Sequence, residues 1–238
     1  MGLSSSAAGL TVRAAVLADL PGIGNVFLAA FPESVLHYTG RHSTHNWREG
    51  RLIWQGGRRL MADVFAVCLA AEPPALIVAE EQATRRIAGY IFAPAALSRL
   101  GPAALRGGLW RLGLGWLRGR YKLGIAAVAI ALRNAVHNLL DLRREVGSHL
   151  ASEARIFSVA VHPDYQGQGL GSSLTSAGMA YLRGQGATKV RLEVRPSNAA
   201  AIRVYMKLGF TVAGETRDSQ GPWLVMIATL DSQRSASS

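Results

Sequence analysis

Along the chain, apolar positions fall into short blocks of two kinds. Leu10 to Ala15 (LTVRAA) alternates with a period of two, as a half-buried strand does. Leu20, Ile23, Phe27 and Phe31 then recur at helical spacing. The preceding Asp19-Leu20-Pro21 predicts a helix start, with Asp19 as N-cap and Pro21 in the first turn. Two unbroken apolar runs follow, Ala75 to Ala79 (ALIVA) and Ile87 to Ala93 (IAGYIFA); the charged connector EEQATRR between them predicts a hairpin. Arg155 to Val161 (RIFSVAV) predicts another strand. Beyond it the pattern reads as a helix from Gly171, a strand over 188–195, a helix over 198–208, and strands over 210–216 and 223–230. Strands alternating with helices predict one α/β domain over residues 10–230, with disordered tails at 1–9 and 231–238.

Two stretches break this rhythm. Residues 32 to 60 are polar and carry His37, His42 and His45 together with Trp47 and Trp54. Imidazole is a common zinc ligand, but the spacing matches neither HExxH nor a finger, and no acidic residue separates the histidines. A polar wall beside a substrate site is the reading adopted, and no metal is expected. Cys68, in VFAVCLAA, reads as a small buried apolar residue. As the only cysteine it excludes an intramolecular disulfide and any multi-cysteine metal site.

The second stretch, residues 94 to 150, changes the picture of charge. The chain of 238 residues carries 26 basic and 15 acidic residues, a net charge of +11. Nine of the basic residues (Arg99, Arg106, Arg111, Arg118, Arg120, Lys122, Arg133, Arg143 and Arg144) lie in this stretch against Asp141 and Glu145, so it alone carries +7. Val128, Leu132, Val136, Leu139 and Arg143 share one helical stripe, while the first half mixes Trp110, Trp116 and leucines with arginines, as an interfacial helix does. Three roles compete: a helical lid over a binding site, a docking element for an acidic partner protein or an anionic membrane surface, and a nucleic-acid contact. The last has the charge but no recognition motif. Its longest apolar run, Leu123 to Leu132, is ten residues, half a membrane span. The start MGLSSSAAGL lacks a basic n-region, and its fit to a myristoylation pattern rests on four loose letters, so a cytoplasmic protein is expected, with peripheral membrane attachment as the alternative.

Chemistry concentrates in Val159 to Gly171, an apolar strand running into a glycine-rich turn and a helix. Gly167, Gly169 and Gly171 allow positive φ and close approach of a ligand to the backbone. The helix start at Gly171-Ser172-Ser173 offers unpaired N–H groups and the positive end of the helix dipole, an anion cradle suited to a pyrophosphate. The same glycines also suit a plain tight turn. A Walker loop would need lysine after Gly171, where Ser172 stands. A dinucleotide fingerprint needs different glycine spacing, after the first strand.

These residues resemble the GNAT superfamily of N-acetyltransferases. Its acyl-CoA motif, Gln/Arg-x-x-Gly-x-Gly/Ala, stands here as Gln166-Gly167-Gln168-Gly169-Leu170-Gly171. The family's Asn and Tyr on the following helix are matched by Asn198 and Tyr205 in RLEVRPSNAAAIRVYMKLGF. That block resembles in particular the bacterial ribosomal-protein alanine N-acetyltransferases. The likeness spans residues 155 to 212 and does not reach 94 to 150.

The resemblance implies a GNAT-type mixed, mostly antiparallel central sheet flanked by helices, with 94–150 as a helical insertion between strands three and four. It implies that backbone amides of Val159, Ala160 and Val161 meet the acyl-pantetheine arm, and that Gln166 and the amides of Gly167, Gln168, Gly169, Leu170, Gly171 and Ser172 hold the pyrophosphate. Asn198 would contact the cofactor, Glu193 would take the amine proton and Tyr205 would protonate the leaving thiolate. The residues allow plainer roles as well. Glu193 could pair with Arg191 or Arg195, Tyr205 could pack, Asn198 could cap its helix, and His162 could lie at the surface or shuttle a proton.

The implied activity is transfer of acetyl from acetyl-CoA to a primary amine, on a small molecule or a protein N-terminus. A longer acyl donor, from CoA or from an acyl-carrier protein docked on residues 94–150 at a membrane surface, and a non-catalytic acyl-CoA-binding module are the alternatives. The tyrosine-rich stretch of the ribosomal-protein enzymes is replaced here by GETRDSQGPW, so their acceptor is not carried over.

Overall fold

The computed structural model describes residues 9–32, 47–95, 102, 106, 108–121, 153–218 and 221–230. The described residues fall in two compact units. One draws on Met1–Ala15, Glu72–Leu97 and Ser152–Ser238, the other on Val16–Ala71 and Ser98–Ala151.

The first unit holds two four-stranded sheets. Strands β1 (Leu10–Ala14), β2 (Leu76–Glu81), β3 (Ile87–Phe92) and β5 (Ser158–Val161) pair in the order β1-β2-β3-β5, antiparallel throughout. Strands β4 (Glu153–Arg155), β6 (Lys189–Val194), β8 (Gly221–Thr229) and β7 (Thr211–Asp218) pair as β4-β6-β8-β7, with β4 parallel to β6 and the rest antiparallel. Helices α4 (Leu170–Gly184) and α5 (Ala199–Lys207) complete the unit.

The unbroken apolar character of β2 has a physical counterpart, since Leu76 to Ala79 are all buried. Glu80 is buried too, and it is held by Arg13 at 2.7 Å and Arg85 at 2.6 Å. Helix α4 buries Leu170, Leu174, Gly178 and Leu182, one residue per turn on a single stripe. Gly178 sits directly over Ile91 of β3; a Cβ there would stand 2.5 Å from Ile91 Cδ1. A glycine at this place lets helix and sheet approach closely.

The expected strand Arg155 to Val161 divides in two. Its first residue belongs to β4 in one sheet and its last four to β5 in the other. The helices and remaining strands expected after Gly171 appear within a few residues of the expected bounds.

The second unit holds α1 (Leu20–Ala30), α2 (Trp47–Ala71) and α3 (Leu109–Leu117). Pro21 lies in the first turn of α1 as expected. Asp19 does not cap that helix with its side chain; its carboxylate accepts the Val16 N–H at 2.8 Å and closes the turn before it. Helix α2 covers part of the stretch read as a polar wall. It packs on α1 through Phe65 against Phe27, ring centroids 6.4 Å apart, and through Gly24, where a Cβ would meet Arg58 O at 2.8 Å. Tyr121, buried after α3, donates its hydroxyl to Asp63 of α2 at 2.7 Å. His37, His42 and His45 and the helix expected around 128–143 lie outside the described residues.

Candidate active site

The site is built where the two sheets of the first unit part. Ile156 donates its N–H to Arg191 O on β6, and Phe157 donates to Phe92 O on β3, each at 2.9 Å. Beyond this fork, among the described residues, β5 pairs with β3 alone. The register then decides which amides face the gap. His162 N–H bonds Ala88 O at 2.8 Å and Val161 stands opposite Gly89, so hydrogen-bonded pairs fall at His162, Ala160 and Ser158. Ala160 N–H therefore points into the ladder, whereas Val159 and Val161 turn their backbone groups toward the fork. The Gln166 side chain reaches back to Val161 O at 3.1 Å and fixes the strand end.

The turn after β5 is tied down at several points. Pro163 to Tyr165 forms one 3-10 turn, capped by His162 Nδ1 accepting from Asp164 N–H at 3.3 Å. Half-buried His162 thus holds the turn's backbone. Tyr165 donates to Glu81 Oε2 on β2 at 2.9 Å, anchoring the turn to the sheet. Gly167 and Gly169 adopt φ of +78° and +77°, a conformation that favours glycine. Gly171 does not; its φ is ordinary, and a Cβ there would lie 3.9 Å from Val161 Cγ2. The expectation of positive φ thus holds at two of the three glycines. Ser173 N–H makes the first intrahelical bond, to Gly169 O, so the amides of Leu170, Gly171 and Ser172 open the helix without an intrahelical partner. Three amides at a helix N-terminus beside an exposed glycine turn suit a phosphate-bearing ligand.

Glu193 lies on β6 in a side-chain cluster. Arg155 Nη2 of β4 meets its Oε2 and Arg191 Nη2 of β6 its Oε1, both at 2.8 Å. The pairing with Arg191 is one the sequence suggested. Arg195 turns elsewhere, stacking on Trp223 at 3.7 Å and pairing with Asp218 at 3.1 Å. Arg155 escaped the sequence reading. Alternation marks Arg191 and Glu193 as one face of β6, with Arg195 just past its end, but nothing local reports that a parallel strand sets Arg155 beside Arg191.

Tyr205 on α5 is buried against Phe210, centroids 5.8 Å apart, and burial pushes its phenol up to about 12. Among the described residues nothing hydrogen-bonds its hydroxyl. Asn198 caps α5, its Oδ1 accepting Ala201 N–H at 3.1 Å. The Cys68 thiol of α2 is pushed up to about 12 by burial. Among the described residues no cluster of three or more His, Cys, Asp or Glu could hold a metal, and no helix is long and apolar enough to cross a membrane.

The chain has relatives among known proteins. A family model described as the acetyltransferase (GNAT) family matches residues 41–210, and the chain belongs to that family. Over 56 residues it is 55% identical to the mycothiol acetyltransferase of Streptosporangium roseum, a match covering 24% of this chain and 17% of that enzyme. Over 61 residues it is 51% identical to the [ribosomal protein bS18]-alanine N-acetyltransferase of Escherichia coli K12, covering 26% of this chain and 41% of the relative. The matches thus span less than half the length of these curated relatives. In fold the chain is similar to yncA of Salmonella typhimurium, solved with its cofactor acetyl-CoA: TM-score 0.52, 21% identity, 96% of this chain and 98% of that one.

Proposed function

We infer that the chain is an N-acetyltransferase that moves acetyl from acetyl-CoA to a primary amine by direct attack. The observation that carries this reading is the opened edge of β5 running into the glycine turn at the N-terminus of α4. Gly167 to Ser172 would hold the pyrophosphate, with the Gln166 and Gln168 side chains bracing the turn. The Val159 and Val161 amides would hold the acyl-pantetheine arm along β5, and one of them would polarise the thioester carbonyl. Asn198, while capping α5, would present its amide to the same arm.

The amine must lose a proton to attack the carbonyl carbon. Each oxygen of Glu193 gives one lone pair to an arginine and keeps another. Glu193 would therefore take the proton through a bridging water. As the carbon–sulfur bond breaks, the Tyr205 phenol would donate its proton to the thiolate; raised to about 12, it is fully protonated at neutral pH. The acceptor is an amine-bearing small molecule or a protein N-terminus, in keeping with the names of the relatives.

A second reading is favoured by the two guanidiniums that neutralise Glu193: an acyl-CoA-binding module without turnover. Calorimetry with acetyl-CoA, free CoA and a long-chain acyl-CoA, followed by turnover on a panel of amines, separates the readings. Acetyl-CoA binding with turnover supports the transferase. Binding without turnover across the panel supports the module, preference for the long chain redirects the search to lipid or carrier-protein donors, and no binding rejects the cofactor assignment.

A further inference from the structure

Helix α3 shows solvent a face that its own packing does not need. Trp110 is 60% exposed and Leu117 is 74% exposed. Seven residues are about two helical turns, so both side chains lie on one stripe. The opposite side of the segment is already seated. A Cβ at Gly108 would collide with the Val67 side chain of α2, and one at Gly115 would collide with the Tyr121 ring. Gly108 and Gly115 are also seven apart, on the side turned away from Trp110 and Leu117. The outward apolar stripe is therefore not a core face left uncovered.

Charge says what would cover it. Arg111 and Arg118 are exposed, again two turns apart, about a quarter turn from the Trp110–Leu117 stripe. Exposed Arg106 precedes the helix. Among the described residues none of these three arginines has an acidic partner. Arg120 differs, standing 3.6 Å from Asp63. No acidic residue occurs anywhere from Ala93 to Leu140, so the cations are not offset along the chain either.

We propose that α3 docks the protein on an anionic membrane surface, with Trp110 and Leu117 entering the boundary between headgroups and acyl chains while Arg106, Arg111 and Arg118 meet lipid phosphates and carboxylates. Tryptophan and leucine on one stripe suit the interface, where an indole keeps its N–H wet and its ring dry. Arginine beside them supplies the attraction to anionic lipid, and its methylene stem covers apolar surface as the guanidinium reaches outward. Nine residues are too few to span a bilayer, so the helix would lie in the surface plane. The proposal does not depend on the transferase chemistry.

The test is co-sedimentation of the full chain with vesicles of phosphatidylcholine mixed with phosphatidylserine, and with phosphatidylcholine alone, at about 0.15 M and about 1 M salt. Binding to the anionic vesicles, weakened at high salt and small on the neutral ones, is expected. Trp110→Ser with Leu117→Ser, and separately Arg111→Glu with Arg118→Glu, should each weaken it about tenfold or more. Val212→Ser, at an exposed apolar position on β7, should bind as the parent does. All three substitution sets lie at exposed positions, and circular dichroism confirms folding. Absence of binding to the anionic vesicles, equal binding to neutral ones, or full retention in either double variant overturns the proposal.

Discussion

Ile156 and Phe157 are neighbours in the chain, yet their N–H groups go to different sheets, one to Arg191 O and the other to Phe92 O, each at 2.9 Å. This single divergence opens the gap along β5. It also places the fork one residue from Arg155, which holds Glu193 from the strand on the other side. The opened edge of β5 and the glycine turn thus follow directly on one break in pairing, and Arg155 at that break ties in Glu193 from β6.

Gly169 and Gly171 should respond differently to alanine. Gly169→Ala forces a Cβ at φ +77° and should cost about 1–2 kcal/mol of stability. Gly171→Ala meets only Val161 Cγ2 at 3.9 Å, so stability should hold or rise by up to about 1 kcal/mol. Alanine is the alternative that the acyl-CoA motif itself takes at this position, so acetyl-CoA affinity of Gly171→Ala should stay within a few-fold of the parent's, whereas Gly169→Ala, which disturbs the left-handed turn, should weaken it roughly tenfold, the size of one lost hydrogen bond. Urea midpoints and calorimetry measure the two effects. Parental affinity in Gly169→Ala would remove the left-handed turn from the cradle.

For Glu193→Gln, the amide keeps the shape but loses the charge that binds Arg155 and Arg191. Turnover should fall about 10²- to 10⁴-fold, the usual worth of a general base. Acetyl-CoA affinity should stay near that of the parent, since the turn and β5 are untouched. Stability should drop by roughly 1–3 kcal/mol, because two guanidiniums lose a charged partner. A variant with parental turnover would leave Glu193 only its structural pairing.

Much of the first unit was legible because it depends on local signals. Runs such as ALIVA and the stripe Leu170, Leu174, Gly178, Leu182 carry their period in the chain itself, and the spacing of Gly167 and Gly169 marks the turn. What escaped depends on distant partners. The split of RIFSVAV comes from Arg191 O and Phe92 O competing for adjacent amides. Helix α2 was hidden by Gly56 and Gly57, which weaken its local helix preference. Gly56 faces the backbone of Tyr121, 65 residues further on, too closely for a Cβ. Arg155 joins Glu193 only through a parallel pairing with no local signature.

Close approach of α4 to β3 makes a packing prediction. Gly178→Ala would set a methyl 2.5 Å from Ile91 Cδ1 and 3.5 Å from Ala93 Cβ, and the overpacking should cost about 1–3 kcal/mol. Gly184→Ala on the same helix has nothing within 4 Å and should be neutral or stabilise by roughly 0.5–1 kcal/mol. Urea denaturation of both variants checks the contrast, and equal midpoints would refute the close contact.

Tyr205→Phe removes one oxygen and keeps the ring against Phe210. Because no described group bonds that hydroxyl, stability at neutral pH should change by less than about 0.5 kcal/mol. At high pH the variants should diverge in a definite direction. Burial raises the folded phenol to about 12, while an unfolded tyrosine titrates near its ordinary value of about 10. Below that lower value both states hold the proton, and the parent loses nothing. Between the two values the unfolded chain sheds its proton first, so parental stability falls as pH rises. Tyr121 and Tyr165 are raised as well, but both remain in the variant and cancel in the difference. Urea midpoints from pH 9 to 12 should therefore fall more steeply for the parent than for Tyr205→Phe. In turnover the variant should lose about 10²- to 10⁴-fold with acetyl-CoA affinity retained, as expected of a proton donor to the thiolate. Parallel stability profiles would place the phenol in water, and parental turnover would leave Tyr205 a packing residue.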